Sequence, residues 1–144
     1  MRLEKRILLA GIIFTLTCSC AHANGGGKNS MFVLASALTK LTRAVETTVQ
    51  YEDPPDDMGE GDLLRLATKH DPALLERFRN YVVHVYRKNN HADLLVCTKD
   101  GTNGLLEDAG CTARMDVHLW TAKPLAACAF TLNIAELCDK GPSF

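Results

Sequence analysis

Between residues 30 and 50, apolar residues recur every three or four positions, which is the spacing of one face of an α-helix. They are Met31, Leu34, Leu38, Leu41, Val45 and Val49. Polar residues fall on the other faces, among them Ser36, Lys40, Arg43 and Glu46. Ser30 is a suitable N-cap because its hydroxyl can accept a hydrogen bond from a free N–H of the first turn. The pattern predicts an amphipathic helix that begins after Ser30.

The helical pattern ends between residues 52 and 62, where six acidic residues, two prolines and two glycines occur together. Proline cannot continue a helix or pair centrally in a sheet, so we expect an exposed acidic loop. The spacing of a calcium-binding loop is absent. A short second helix is predicted over residues 63–67, capped by Asp62. A third is predicted from Pro72 to about Arg79, because a capping residue precedes this proline.

Residues 81–86 are dense in β-branched and aromatic side chains. Their apolar spacing would also fit a helix, but the composition favours a strand from Asn80, since such side chains lose rotamer freedom in a helix. After a turn at residues 88–91, residues 94–98 predict a second strand that runs back against the first.

Asp100-Gly101 follows the second strand and is typical of a type I′ hairpin. A two-residue loop at this position would place Cys97 opposite Gly104. Because Gly104 has no side chain, it would leave space beside Cys97 for a cysteine from another strand. Apolar and polar residues alternate again over residues 115–119 and 128–134, so two further half-buried strands are predicted there.

The first 23 residues have the three regions of a cleavable secretory signal peptide. Three basic residues near the start precede an apolar stretch from Ile7 to Thr17, and the small residues of Ala21-His22-Ala23 form a signal-peptidase cleavage site. Cleavage is expected after Ala23, and the glycine-rich residues 24–29 are expected to form a flexible leader. The apolar stretch is too short to cross a hydrocarbon core of ~30 Å, and no later stretch is long enough. We therefore expect a periplasmic or secreted protein without a transmembrane segment.

Lipidation at Cys18 or Cys20 is the alternative, because lipoprotein signals also end at a cysteine after an apolar stretch. The residues before the two cysteines fit that signal poorly, since only Ser19 is of the expected type. Removal of residues 1–23 deletes three basic residues and one acidic residue. The 16 Lys and Arg become 13, the 17 Asp and Glu become 16, and the formal charge moves from −1 to −3. This charge argues against a nucleic-acid partner.

Four cysteines follow the signal peptide, and an even number in an oxidising compartment predicts two disulfides. They are Cys97, Cys111, Cys128 and Cys138. A zinc site is disfavoured, because zinc ribbons supply their cysteines as closely spaced pairs. Three pairings are possible. Adjacent pairing, Cys97 with Cys111 and Cys128 with Cys138, is favoured because it closes the shortest loops.

These elements predict an α+β fold, in which N-terminal helices pack on a C-terminal antiparallel β-sheet that two disulfides staple. The 144 − 23 = 121 residues left after cleavage suit one domain with its own hydrophobic core. We assign residues 30–144 to that single domain.

The strongest candidate for a binding face lies on the predicted strand near residue 118. Alternation would place Asp116, His118 and Trp120 side by side on one face. An aspartate beside a histidine could orient a general base or share a metal. Further ligands could come from His84, or from His91 with Asp93. The simpler interpretation is that Trp120 packs under the helices while the two polar residues make surface hydrogen bonds.

Nucleophile-elbow, metalloprotease, phosphate-loop and dinucleotide motifs do not occur in the sequence. Glu107 and Asp108 would point to opposite faces of a strand and could not flank one glycosidic bond, so a turn before Cys111 is predicted there. In composition, the cysteine-containing part is similar to small periplasmic proteins of the inhibitor and immunity types.

These observations favour a non-enzymatic exported binding protein of the inhibitor, immunity or envelope-accessory type, with a protein partner and without a cofactor or bound metal. The alternative is a small periplasmic hydrolase or metal-dependent enzyme that uses Asp116 and His118. A deep polar pocket around these two residues would favour the enzyme, whereas an exposed apolar surface would favour binding.

Overall fold

A computed structural model describes residues 26–112 and 126–139. Three helices are followed by three strands and a C-terminal helix. The elements are α1 (Gly26–Tyr51), α2 (Glu60–Ala67), α3 (Ala73–Glu76), β1 (Val82–Lys88), β2 (His91–Cys97), β3 (Gly104–Ala109) and α4 (Ile134–Asp139). The strands form one antiparallel sheet in the order β1-β2-β3. The predicted α+β fold, with helices packed against an antiparallel sheet and two disulfides, is confirmed.

The amphipathic face of α1 forms the centre of the core. Leu38, Leu41 and Val45 are fully buried against the sheet and the other helices. The helix begins at Gly26, inside the stretch assigned to the leader, rather than after Ser30. Glu46 was expected on a polar face, but its side chain is buried because its carboxylate accepts hydrogen bonds from the start of β2.

The two short helices differ at their ends from the sequence prediction. Helix α2 begins at Glu60, and Gly59 rather than Asp62 occupies its N-cap position. Helix α3 spans only Ala73–Glu76, with Pro72 at its N-cap. The acidic loop before α2 is exposed except around Pro54 and Met58.

The two hairpins of the sheet use different turns. Asn89 and Asn90, between β1 and β2, both have positive φ (51° and 60°), as a type I′ turn requires. Between β2 and β3 only Gly101 has positive φ (71°), so the type I′ prediction for Asp100-Gly101 is wrong. The Asp100 carboxylate organises this longer loop by accepting bonds from Thr98 and Thr102. The predicted pairing of Cys97 with Gly104 is confirmed, and a bulge next to this pair shifts the register by one residue, so that Val96 pairs with Leu106.

The sheet has one face toward α1 and one toward the C-terminal residues. Alternation places Leu94, Val96 and Leu106 on the α1 face, where they join the core. Asp93, Leu95, Cys97 and Glu107 lie on the opposite face. Residues 126–139 cover that opposite face and contain α4.

The predicted strand over residues 128–134 is wrong. A single bridge pairs Ala127 with Asn103, and the chain then crosses the sheet without a ladder until α4 begins at Ile134. The N–H groups of Thr131 and Leu132 donate to the Glu107 carboxylate, so they do not need a neighbouring strand. The strand predicted over residues 115–119 lies outside the described residues.

Candidate functional site

An open groove lies between the N-terminal half of α1 and the region of α3. Its volume is about 460 Å³. Its lining includes Phe32, Val33, Lys40, Asp71, Leu74 and Arg77. Phe32 and Val33 are 61% and 55% exposed, which is unusual for large apolar side chains placed next to each other. The groove therefore combines apolar walls with charged groups.

The position of these side chains follows from helical geometry. Phe32 and Lys40 lie eight residues apart, about two turns, and so share one side of α1. The buried stripe of Leu34, Leu38 and Leu41 occupies a different side. The sequence prediction followed only that stripe and missed the groove. The available signal was Phe32-Val33, an adjacent apolar pair that the three-and-four spacing of the core does not use.

Charge in the groove is predominantly positive. Lys40 and Arg77 contribute two cations, whereas Asp71 contributes one carboxylate. Within residues 26–112 and 126–139, no ion pair involves Lys40 or Arg77. Both cations are thus available to an acidic group on a ligand, in a protein whose total charge is negative.

The disulfides join Cys97 to Cys128 and Cys111 to Cys138, so the predicted adjacent pairing is wrong. The backbone explains the first bond, because Cys128 N–H donates to Thr102 C=O and brings Cys128 beside β3. Gly104 leaves the expected opening beside Cys97, and a Cβ on Gly104 would lie 3.0 Å from the Ala127 carbonyl oxygen. Both bonds link the sheet to the C-terminal residues.

A histidine accompanies each disulfide. One ring nitrogen of His84 lies with the sulfurs of Cys97 and Cys128 in a group whose atoms are all within 4.8 Å of one another. His91 is placed in the same way beside Cys111 and Cys138. From the sequence, His84, or His91 with Asp93, was a candidate source of further ligands for a site near His118. The structure instead assigns them to two different disulfides.

Each of these histidines contacts a glutamate through Nδ1. The His84–Glu60 pair is 3.2 Å long and largely exposed. The His91–Glu46 pair is 2.6 Å long, and the Glu46 side chain is only 7% exposed. The second Glu46 oxygen accepts the Ala92 N–H at 2.6 Å. His91 is therefore held by a carboxylate that is itself fixed.

Two buried carboxyl groups lie on the sheet face beneath the C-terminal residues. Glu107 accepts bonds from Thr131 N–H, Thr131 hydroxyl and Leu132 N–H. Glu107 and Asp108 lie in β3 and are buried, so the turn predicted for them is wrong. Asp93 lies diagonally across from Glu107, and its burial, followed by the charge of Glu107, raises its pKa to about 9. These groups are enclosed, and Glu107 serves to attach the C-terminal residues.

The face formed by Asp116, His118 and Trp120 lies outside the described residues, so the binding role assigned to it stays a prediction. No described helix is long and apolar enough to cross a membrane. No protein-family model, no curated protein and no solved structure matches this chain.

Proposed function

We propose that the chain is an exported, non-enzymatic binding protein of the inhibitor, immunity or envelope-accessory type, and that a protein partner docks in the groove between α1 and α3. The observation that carries this proposal is the exposure of Phe32 and Val33 beside two cations that form no ion pair with the residues the structure describes. Exposed apolar residues that are grouped and bordered by charge are typical of protein-binding surfaces.

The chemistry of the groove specifies its occupant. Apolar walls favour a partner segment with one or two large apolar side chains, because their burial displaces water from both surfaces. Lys40 and Arg77 favour carboxylates beside those apolar side chains, since complementary charges select the partner and speed its association. The groove follows a helix and would accept an amphipathic helix with an acidic border.

Export supports the same proposal. Two disulfides persist in oxidising compartments, and residues 1–23 have the composition of a signal peptide. The intact mass of the exported protein tests this part: we expect a mature chain that begins at Asn24. An acylated N-terminus at Cys18 or Cys20 would contradict it.

The docking proposal is tested with synthetic helical peptides of about 15 residues that carry an identical apolar face. One series has glutamates along the border of that face, and the other has lysines. Fluorescence anisotropy with the mature protein should show tighter binding of the acidic series, by on the order of tenfold at low salt. Phe32→Ser should weaken both series, whereas Lys40→Glu with Arg77→Glu should reverse the preference.

Tyr51→Ser is the matched control, because Tyr51 is 80% exposed on the same helix but does not line the groove. This variant should bind as the unmodified protein does. Far-UV circular dichroism establishes that every variant is folded. Equal binding of acidic and basic peptides, or loss of binding in Tyr51→Ser alone, would exclude the groove as the docking site.

A further inference from the structure

The surroundings of the Cys111–Cys138 disulfide resemble those of a metal site, except that the two sulfurs are bonded to each other. Both cysteines are partly exposed, and one ring nitrogen of His91 lies within 4.8 Å of both sulfurs. In the oxidised protein neither sulfur is a thiolate, so neither can serve as a strong ligand. Reduction would provide two thiolates beside an imidazole, a donor set that suits Zn²⁺.

We propose that Cys111, Cys138 and His91 form a Zn²⁺ site that opens when this disulfide is reduced. A dithiol reductant would supply two electrons and two protons, so that the sulfur–sulfur bond breaks, two thiols form and the reductant becomes a disulfide. Zn²⁺ then forms two Zn–S bonds and one bond to neutral His91, and the two thiol protons pass to solvent. Two thiolates balance the charge of the ion, and water takes the fourth position.

The distances are compatible with this coordination. Tetrahedral Zn²⁺ with Zn–S bonds of about 2.3 Å separates its two sulfurs by about 3.8 Å. The three donor atoms fall within 4.8 Å of one another, so small shifts of these side chains would bring all three to one ion.

With Nδ1 hydrogen-bonded to Glu46, His91 would bind Zn²⁺ through Nε2, and Glu46 would then supply the carboxylate partner that metal-bound histidines usually have. Such histidines usually donate their second ring N–H to a carboxylate, which fixes the ring and makes the ligating nitrogen more basic. Glu46 Oε1 lies 2.6 Å from His91 Nδ1, and the Ala92 N–H fixes the carboxylate from the other side. This pre-arranged pair distinguishes His91 from His84, whose glutamate partner is exposed and more distant.

The rest of the fold can hold the site after reduction. Cys97–Cys128 is the less accessible disulfide, because Cys97 is fully buried, so a reductant should reach it more slowly. The Glu107 carboxylate continues to hold Thr131 and Leu132, and Ile134 is buried at the start of α4. Cys138 therefore stays near Cys111 when their own bond is broken.

The mature chain is treated with a phosphine reductant, desalted without oxygen and titrated with Zn²⁺ against a chromogenic chelator. The reduced protein should bind about one equivalent of Zn²⁺. Its affinity for Zn²⁺ should exceed that of the oxidised protein by at least about a hundredfold. Peptide mapping after alkylation should show Cys111 and Cys138 reacting before Cys97 and Cys128. Cobalt(II) should give a sulfur-to-metal absorption band that Zn²⁺ removes.

The variants separate this site from unspecific binding by thiols. His91→Ala should weaken Zn²⁺ binding by about tenfold or more, and Glu46→Gln by about tenfold, since both act on the imidazole ligand. His84→Ala is the matched control beside the other disulfide and should leave the affinity unchanged. Equal Zn²⁺ binding by the oxidised and reduced proteins, or equal effects of His84→Ala and His91→Ala, would overturn the proposal.

Circular dichroism decides the remaining case, in which the fully reduced chain is unfolded. Recovery of the folded spectrum with one equivalent of Zn²⁺ would support the site, because a metal that binds only the folded chain drives folding. Failure of Zn²⁺ both to bind and to restore the fold would overturn it. Peptide binding by the oxidised protein does not involve these residues, so the docking proposal stands or falls separately.

Discussion

Substitution of Asp93 by asparagine should stabilise the protein as the pH rises. Asp93 is completely buried on the sheet face beneath residues 126–139. Burial is the main cause that raises its pKa to about 9, and the charge of Glu107 adds to it. At neutral pH the Asp93 carboxyl is therefore protonated in the folded protein and ionised in the unfolded chain.

The sign and size of the effect follow from this difference in pKa. The folded state binds the proton more tightly, so this contribution to stability is complete below the unfolded pKa of 3.8 and is lost as the pH rises through about 9. Within that window the free energy of unfolding falls by up to about 1.4 kcal/mol per pH unit. From pH 5 to pH 8 the loss is about 4 kcal/mol. Asparagine has the same shape and does not titrate, so Asp93→Asn removes this loss.

Urea unfolding followed by far-UV circular dichroism at several pH values between 5 and 8 measures the effect. The difference in free energy of unfolding between Asp93→Asn and the unmodified protein should grow in favour of the variant by about 4 kcal/mol over this range. A difference that changes by less than about 1 kcal/mol would refute the reasoning, because it would place the folded pKa of Asp93 near its ordinary value.

Asp100→Asn provides the control with the opposite sign. Hydrogen bonds from the Thr98 hydroxyl and from Thr102 lower the pKa of the exposed Asp100 carboxyl. Its contribution is therefore present above the unfolded pKa of 3.8 and is lost as the pH falls through the lower folded pKa. Between pH 5 and pH 8, Asp100→Asn should run parallel to the unmodified protein. A slope like that of Asp93→Asn would point to a general effect of removing a carboxylate.

Two further predictions concern stability. Gly110→Ala should destabilise the protein by about 1–3 kcal/mol in urea unfolding, because the new Cβ would lie 2.6 Å from the Glu46 Cβ; Gly61→Ala, on exposed helix surface, is the control and should be neutral or slightly stabilising. Replacing either disulfide with two alanines should lower the free energy of unfolding by about 3.5 kcal/mol, since the cysteines are 31 and 27 residues apart. Non-reducing peptide mapping checks the pairing, and fragments that link adjacent cysteines would contradict it.

The elements that the sequence predicts best are those whose residues contact their neighbours along the chain or in the next strand. The position of α1 follows from its apolar spacing, and the pairing of Cys97 with Gly104 follows from the location of the turn between them. The turn type itself was wrong because the Asp100 side chain stabilises a longer loop. For α1 and the hairpins, local patterns thus determined the place of the element more reliably than its end or its turn geometry, whereas they missed α4.

Contacts between distant parts of the chain were not predictable in the same way. Glu46 was assigned to a polar face because its charge suggests solvent, but His91, 45 residues away, provides the hydrogen bond that makes its burial possible. The disulfide pairing was wrong because the shortest loops ignore the path of residues 126–139. That path depends on Glu107, and nothing in the spacing of the cysteines reports a buried carboxylate.

The C-terminal residues show what an alternating pattern does and does not specify. Three of the four alternate residues from Cys128 to Ile134 behave as alternation implies: Cys128 bonds to Cys97, the Phe130 ring lies 5.7 Å from that of Tyr86, and Ile134 is buried. The backbone nevertheless forms no ladder, because the Glu107 carboxylate takes the N–H groups that a neighbouring strand would otherwise accept. The period of two therefore reports which side chains face the sheet but does not report how the backbone is hydrogen-bonded. One consequence is that disulfides, apolar contacts, a short backbone bridge near Ala127 and the Glu107 carboxylate hold this segment. Its attachment should respond to the redox state of Cys111–Cys138 and, through repulsion of Glu107, to ionisation of Asp93.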